Sequence, residues 1–258
     1  MQLKTNGMIL KQRNIGENDR ILTVLTQDAG LIEVCARRSR SPKNPLTAPT
    51  QLLNYSSFCL YKGKASYYIA DSAESIRAFY DLRLDIVKLS LAGYFAELCV
   101  FLAPTAENSE ALLRLLLNTC HLLETDHYPM EHLRPVFELR ALSVSGFMPN
   151  LVCCAECNAY EASDMLFLPL DGVLCCQKCY LKSGYYREDK IVLPLSSAVL
   201  SAMRHIIFSD MQKIFSFRLS DSAAAKLYEI VRTYTSLHTE ADFKSLHLFD
   251  TMYHRGTI

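Results

Sequence analysis

The pattern of hydrophobic and polar positions changes near residue 70. Before that point, short apolar runs alternate with polar turns. Within residues 31–37, apolar side chains occupy every second position, which is the period of a half-buried strand. Comparable runs predict strands at residues 7–13, 20–26, 31–37, 50–61 and 65–70. Five short strands with a long loop after the third suit a small closed barrel such as an OB-fold.

From residue 72 onward, apolar residues recur at helical spacing. The leucine-rich run 86–102 predicts a helix that Pro104 ends, and Asn108 opens a second one. Further helices are predicted at residues 132–145, 196–208 and 221–238, while residues 243–258 are left unassigned. The predicted fold class is therefore α+β and multidomain, with an N-terminal small β-barrel (OB-fold) at residues 1–80 followed by an α-helical domain at residues 81–258.

The cysteines are the strongest chemical signal. Six of the ten lie between residues 153 and 179. Cys154, Cys157, Cys176 and Cys179 form two Cys-x-x-Cys pairs at the separation of a four-thiolate zinc site. Each two-residue gap lets a turn bring two sulfurs to one metal, and soft thiolates favour Zn²⁺ or an iron–sulfur cluster. Four protein ligands leave no position for water. We therefore predict a structural Zn²⁺ in a module at residues 151–182, inserted in the helical domain.

The sequence does not decide which of two neighbouring cysteines is the ligand at the start of each pair. Cys153 and Cys175 each stand beside a predicted ligand, so the set can shift by one residue at either end. Buried free thiols and two disulfides are the alternatives to a metal, although six cysteines crowded into one short segment favour the metal.

Charge divides the chain unevenly. Residues 1–64 contain ten Lys and Arg against four Asp and Glu, a formal charge of +6, and the remaining residues carry −6. A basic segment of this kind suggests a polyanion-binding surface. Its candidate DNA-binding residues are Lys11, Arg13, Arg20, Arg37, Arg38, Arg40 and Lys43. Each of them alone can be a solvated surface charge, but the cluster at residues 37–40 indicates phosphate contact. Three prolines within residues 38–49 predict a mobile loop there.

Aromatic residues accompany these charges. In an OB-fold such side chains can stack on nucleic-acid bases, and their alternative role is to fill the barrel interior. The interior role is favoured for Phe58. The five candidates are Tyr55, Phe58, Tyr61, Tyr67 and Tyr68.

Motifs for catalysis are missing from the sequence. It has no Gly-x-x-x-x-Gly-Lys-Ser/Thr loop, no His-Glu-x-x-His pair and no Gly-x-Ser-x-Gly turn. We expect a protein that is not an enzyme; a metal-dependent nuclease and a zinc-containing DNA-binding transcription regulator are the alternatives. The first ten residues lack a signal-peptide core, and the apolar segment 89–103 is too short to span a bilayer. A cytoplasmic protein without membrane contact is therefore expected, and its cysteines outside the module fit a reducing compartment.

The order of motifs along the chain resembles the bacterial recombination mediator family RecO. The resemblance rests on Gly7-x-Ile-Leu, Gly16-Glu-x-Asp19, Leu25-Thr26, Gly30 and the basic pair Arg37-Arg38. It continues with Gly146-Phe-x-Pro149, Leu151-x-x-Cys154-x-x-Cys157 and Phe243-Lys-Ser-Leu246. One departure is Asp171-Gly172, where the family usually has Gly-Gly. The resemblance implies binding of single- and double-stranded DNA, annealing of complementary strands, loading of RecA together with RecR, and contact with single-stranded-DNA-binding protein. Because the sequence has a basic segment and no nucleotide-binding loop, we expect that annealing to need no ATP.

Overall fold

The computed structural model describes residues 2–62, 66–104, 108–182 and 191–255. The chain divides into two compact units. One combines Met1–His127 with Phe243–Ile258, and the other is Tyr128–Asp242. The barrel ends near the predicted boundary at residue 80, but the helices that follow it directly belong to the same compact unit. The division into domains 1–80 and 81–258 stays a prediction.

A closed five-stranded barrel forms the amino-terminal part of the first unit. Its strands are β1 (Gln2–Ile15), β2 (Asp19–Thr26), β3 (Leu31–Ala36), β4 (Asn54–Lys62) and β5 (Tyr68–Ala78). Around the barrel the order is β1-β2-β3-β5-β4, and β3 and β5 form a parallel pair. Strand β1 is long because its first half pairs with β4 and its second half with β2. The predicted small barrel is confirmed.

The barrel interior contains alternate residues of the strands and one residue from the long segment after β3. Leu46 of that segment packs in the same core as the strand residues Leu22, Val34 and Phe58. Hydrogen bonds close the segment into successive turns, one of them from Thr47 Oγ1 to the carbonyl of Ser41 at 2.6 Å. The segment expected to be a mobile loop is thus anchored, because Leu46 packs in the barrel core.

Strand β5 is longer than the sequence predicts. It extends to Ala78, whereas the apolar run ends at residue 70. The second half of β5 pairs with β4 through a register shift between Tyr55 and Ser56. Most side chains of that half are exposed, including Ile76 at 51%. A strand with few buried positions has no alternation for the sequence to reveal.

Helices make up most of the remaining structure. Those in the described ranges are α1 (Ile86–Leu102), α2 (Glu110–Glu124), α3 (Met130–Val144), α4 (Gln177–Lys182), α5 (Ser197–Phe208), α6 (Asp221–Thr239) and α7 (Lys244–Arg255). Every predicted helix is present. Helix α1 begins where Asp85 Oδ1 accepts hydrogen bonds from the backbone N–H groups of Val87 and Lys88, at 2.8 and 3.2 Å.

The carboxy-terminal helix α7 packs against α1 in the first unit. Glu97 of α1 accepts hydrogen bonds from Ser245 through both oxygens, at 3.1 Å from the backbone nitrogen and 2.9 Å from the hydroxyl. A Cβ on Gly93 would lie 3.0 Å from Ser245 Oγ, so glycine permits this close approach. Phe243 makes an edge-on ring contact with Tyr94. The tail that the sequence left unassigned is thus a docked helix.

In the second unit, a small sheet packs against helices α5 and α6. Its strands are β6 (Asn150–Cys154), β7 (Met165–Leu168), β8 (Val173–Cys176) and β9 (Leu193–Leu195), in the order β6-β8-β7-β9. Helix α6 holds this sheet region by two hydrogen bonds. Tyr234 donates to the carbonyl of Phe147 at 2.9 Å, and His238 Nε2 donates to that of Pro169 at 2.8 Å.

Candidate metal centre and nucleic-acid interface

The four predicted ligands converge in the second unit. The Sγ atoms of Cys154, Cys157, Cys176 and Cys179 all lie within 4.8 Å of one another. Two of them, on Cys157 and Cys176, are 3.8 Å apart. Tetrahedral coordination with Zn–S bonds of about 2.3 Å requires sulfurs separated by roughly 3.8 Å. All ten cysteines are free of disulfides. The donor set therefore fits a metal ion.

Local backbone geometry places the first pair of sulfurs. Cys154 ends strand β6, and a tight turn follows in which its backbone N–H donates to the carbonyl of Ala159 at 2.9 Å. Asn158 adopts a left-handed conformation in this turn, with φ of 58°. The turn directs the backbone N–H groups of Glu156 and Cys157 toward the Cys154 sulfur.

The second pair follows from a strand-to-helix junction. Cys176 ends β8, and Cys179 lies in the first turn of α4. The backbone N–H of Cys176 donates to Cys154 Sγ at 3.3 Å, which joins the two pairs. Burial would raise the pKa of Cys154, but this N–H and those of the first turn lower that pKa to about 6. These N–H groups thus favour the thiolate of Cys154, the form that binds metal, whereas hydrogen bonds with Cys176 and Cys157 raise the pKa of the Cys179 thiol.

The two extra cysteines lie outside the four-sulfur group. Cys153 Sγ is 3.8 Å from Asn158 Oδ1, and Cys175 Sγ is 3.5 Å from the carbonyl of Cys176. Burial, reinforced by the neighbouring Cys154, raises the pKa of Cys175 to about 12. The geometry therefore brings together the set that contains Cys154 and Cys176.

An arginine that the sequence analysis did not identify holds this region on helix α5. Arg204 Nε donates to the carbonyl of Leu151 at 2.7 Å. Its Nη2 donates to the carbonyls of Val152 and Tyr160, at 2.9 and 2.7 Å. The three carbonyls flank the first cysteine pair on both sides. Arg204 is remote from them in sequence, and no spacing rule connects them.

The barrel in the first unit carries a second candidate site on its outer face. Arg13 pairs with Ile21, Ile21 with Cys35, and Cys35 with Ile69, so these side chains share one face. Ile21, Cys35 and Ile69 form an apolar cluster, with Tyr67 packed against it. The exposed Arg13 and the half-buried Tyr67 therefore lie on one face of the barrel, with the apolar cluster between them.

The arginine-rich segment after β3 folds back onto the turn between β1 and β2. The backbone N–H of Arg38 donates to Asp19 Oδ1 at 2.8 Å. Arg40 donates its backbone N–H to the carbonyl of Asn18 at 3.0 Å, and its Nη1 lies 3.4 Å from that of Gly16. Arg38 has a left-handed φ of 54°. These bonds present three exposed side chains together, those of Arg37, Arg38 and Arg40.

Arg37 also lies beside the apolar cluster of the barrel face. Burial raises the pKa of the Cys35 thiol, Asp19 raises it further, and a hydrogen bond with the Arg37 side chain opposes that rise. Arg13, Arg37 and the apolar cluster are therefore continuous, and the segment at residues 38–40 extends this surface.

The other predicted DNA-binding residues lie in different settings. Lys11 is exposed and lines a cavity of about 430 Å³ that Glu97 also lines. Arg20 pairs with Ala36, whose side chain is in the barrel core, so it faces inward at the end of the barrel. Its Nη1 is buried and has no hydrogen-bond partner among the described residues. Lys43 is exposed, farther along the segment that carries Arg40.

The five aromatic residues that could stack on bases also lie in different environments. Phe58 is 1% exposed in the barrel core, as the interior alternative predicts, and Tyr68 packs against the same core. Tyr67 lies on the outer face described above. Tyr61 is 37% exposed on β4, and Tyr55 is half-buried.

Two family models of known proteins together match nearly the whole chain. A family model described as "Recombination protein O N terminal" matches residues 1–79, and "Recombination protein O C terminal" matches residues 83–247. The chain belongs to the RecO family. Similar proteins include the DNA repair protein RecO of Acetivibrio thermocellus, 34% identical over 97% of both chains. Another is that of Symbiobacterium thermophilum, 32% identical over 96% of both chains.

Membership in the RecO family confirms the resemblance drawn from the motif order and gives the chain a role in DNA repair and recombination. The RecO motif at residues 243–246 now has a physical reason, because Phe243 and Ser245 dock helix α7 on α1. None of the helices in the described ranges has the length and hydropathy that a bilayer crossing demands.

Proposed function

We propose that this RecO-family chain is a DNA-binding recombination mediator rather than an enzyme. It binds single- and double-stranded DNA, anneals complementary strands without ATP, and helps to load RecA together with RecR. The observation that supports this best is the barrel surface on which Arg13 and Arg37 adjoin the apolar cluster that Tyr67 packs against. Arg38 and Arg40 continue from Arg37 onto the turn between β1 and β2. Lys11, Arg20 and Lys43 add positive charge to the same barrel.

Annealing at such a surface needs no chemical fuel. Two complementary strands repel each other through their phosphates, and a cationic surface screens that repulsion and concentrates both strands. An aromatic ring on the same face, such as the half-buried Tyr67, can stack on an unpaired base without sequence preference. The surface therefore holds strands in a form that can still pair, and duplex formation itself supplies the free energy.

The cysteine module supports this role structurally. We propose that Cys154, Cys157, Cys176 and Cys179 hold one Zn²⁺, because four sulfurs at these distances suit its tetrahedral preference. The ion would fix the β6 turn against the start of α4. With four protein ligands the site leaves no open position, so the residues orient the module and perform no chemistry.

The remaining parts of the proposal follow from the family. RecR and single-stranded-DNA-binding protein are the expected protein partners, RecA is reached indirectly, and the cytoplasm of a bacterial cell, at the nucleoid, is the expected location. We expect these interactions to be shared between the domains at residues 1–80 and 81–258, with the zinc module at residues 151–182 inserted in the second of them.

A fluorescence-quenching annealing assay tests the proposal. Two complementary labelled strands are mixed with the purified chain, with and without ATP, at low and at physiological salt. We expect acceleration without ATP that decreases as salt rises. No acceleration over the spontaneous rate, or a strict need for ATP, contradicts the proposal. Cleavage of labelled DNA with Mg²⁺ would favour a nuclease, and strong preference for one duplex sequence would favour a transcription regulator.

A further inference from the structure

A groove in the first unit lies where the arginine-rich segment meets the end of β5. Its volume is about 430 Å³, within the range of small-molecule sites. One wall comes from the segment after β3, including Pro42, Asn44 and Gln51. The other comes from Tyr80 and Arg83, which follow β5. The groove is thus built from the same segment that carries Arg40 and Lys43.

The aromatic side of the groove is available to a ligand. Tyr80 is 65% exposed although it is a large ring. The guanidinium carbon of Arg83 is 5.6 Å from the ring centre, within the distance of a cation–π contact. Arg83 is itself fixed by one hydrogen bond, from Nη2 to the carbonyl of Leu52 at 2.7 Å. The exposed ring is therefore held beside a cation on an ordered turn.

The opposite wall offers hydrogen-bonding groups of both kinds. Asn44 Oδ1 accepts from the backbone of Leu46 at 2.8 Å, which leaves the Asn44 amide N–H groups as donors. Gln51 Nε2 donates to the carbonyl of Thr47 at 2.8 Å, which leaves Gln51 Oε1 as an acceptor. Among the described residues, neither remaining group has another partner. The edges of unpaired bases likewise carry donors and acceptors side by side.

The charges around the groove favour an anionic ligand. Arg83 lines it, and the exposed Lys43 lies between two lining residues, Pro42 and Asn44. Asp81 is the exposed acid on the same turn as Arg83. Glu124, whose Oε1 is 3.4 Å from the Asp81 nitrogen, is already ion-paired with Arg77 at 2.9 Å. Arg83 thus supplies a cation in the groove itself, and Lys43 adds positive charge on the segment that forms the other wall.

We propose that this groove binds one unpaired nucleotide of single-stranded DNA, with Tyr80 stacking on its base and Arg83 facing its phosphate. The inference rests on the proposed DNA-binding function and extends it, because Tyr80 and Arg83 lie outside the predicted binding set. A strand that follows the arginine-rich segment reaches the groove along one continuous wall. Bases in a duplex are already stacked, so the groove distinguishes single strands from duplexes.

The test compares wild-type protein with Tyr80→Ala by fluorescence anisotropy. The probes are a labelled oligothymidine, a duplex of equal length and an oligonucleotide of abasic sites. We expect Tyr80→Ala to bind oligothymidine about five- to tenfold more weakly, at the lower end of measured base–aromatic stacking. Duplex affinity should stay within twofold. On the abasic strand the two proteins should differ by less than twofold, because no base is present to stack.

Two further variants separate stacking from general damage. Tyr80→Phe keeps the ring and should bind oligothymidine as wild-type does. Phe208→Ala removes an exposed ring of the second unit that has no proposed part in DNA binding, and should leave the preference for single strands unchanged. The proposal is wrong if Tyr80→Ala binds oligothymidine as tightly as wild-type. It is also wrong if both DNA forms weaken equally. If wild-type binds no DNA, the proposed function itself fails.

Discussion

The guanidinium carbon of Arg204 lies 4.0 Å from the centre of the Tyr160 ring. Its nitrogens also bond three carbonyls around the first cysteine pair. Helix α5 therefore holds the same turn that presents Cys154 and Cys157. Because one turn serves both contacts, metal binding and helix packing in the second unit should stabilise each other.

Substitution of Arg204 should weaken metal retention from a distance. Arg204→Lys keeps the charge but loses the planar fork that reaches several carbonyls at once. We expect the free energy of unfolding to fall by about 1.5–3 kcal/mol, as for hydrogen bonds to charged groups. We also expect faster transfer of zinc to a chelator, followed by absorbance. Arg218→Lys, at an exposed arginine of the same unit, is the matched control. Equal zinc release from both variants would contradict this link.

The ligand set can be established by single substitutions. Cys154→Ser and Cys179→Ser should reduce bound zinc below one ion per chain, measured by atomic emission, and lower the thermal midpoint because the binding energy of a structural metal contributes to folding. Cys153→Ser and Cys175→Ala are the controls and should keep one zinc. Loss of zinc from Cys175→Ala with retention in Cys176→Ala would shift the ligand set by one residue. If purified wild-type protein contains no zinc, the proposal of a zinc site is wrong.

Charge reversal should locate the DNA-binding surface. The triple variant Arg37→Glu, Arg38→Glu, Arg40→Glu should bind all DNA sequences more weakly. The slope of log affinity against log salt should also decrease by about one for each phosphate that the variant no longer neutralises. A triple reversal at exposed basic residues of the second unit, Lys213, Arg218 and Arg232, changes net charge equally. Anisotropy at several salt concentrations compares the two. The same weakening in both triple variants would mean that net charge, and not this surface, governs binding.

Two buried thiols make the first unit sensitive to alkaline pH. Burial raises the pKa of Cys120 from about 9 to about 12, helped by Glu124, and burial also raises that of Cys99. Between those pH values the unfolded chain loses the Cys120 proton while the folded chain keeps it. The free energy of unfolding should therefore fall as pH rises above about 9. Thermal midpoints between pH 8 and 10.5 should fall less steeply in Cys120→Ala. Equal slopes would show that other groups cause the effect.

The amino-acid sequence determined those features of this protein that depend on neighbouring residues. The alternation in residues 31–37 predicted β3 because successive side chains of a strand point to opposite faces. The helical spacing predicted α1, and Asp85 begins it because its carboxylate accepts from the first N–H groups. The Cys-x-x-Cys spacing predicted the four-sulfur group because two intervening residues suffice for the turn.

Tertiary structure decided what depends on distant residues. Leu46 packs in the barrel core, β5 extends to Ala78 by pairing with β4, and Ser245 joins the first unit by bonding Glu97. None of these interactions leaves a local pattern, because the partners are remote in sequence.

The choice between neighbouring cysteines has the same origin. Cys153 and Cys154 are adjacent on β6, as Cys175 and Cys176 are on β8, so the members of each pair point to opposite faces. The packing of the sheet, and not the spacing along the chain, decides which face meets the other sulfurs.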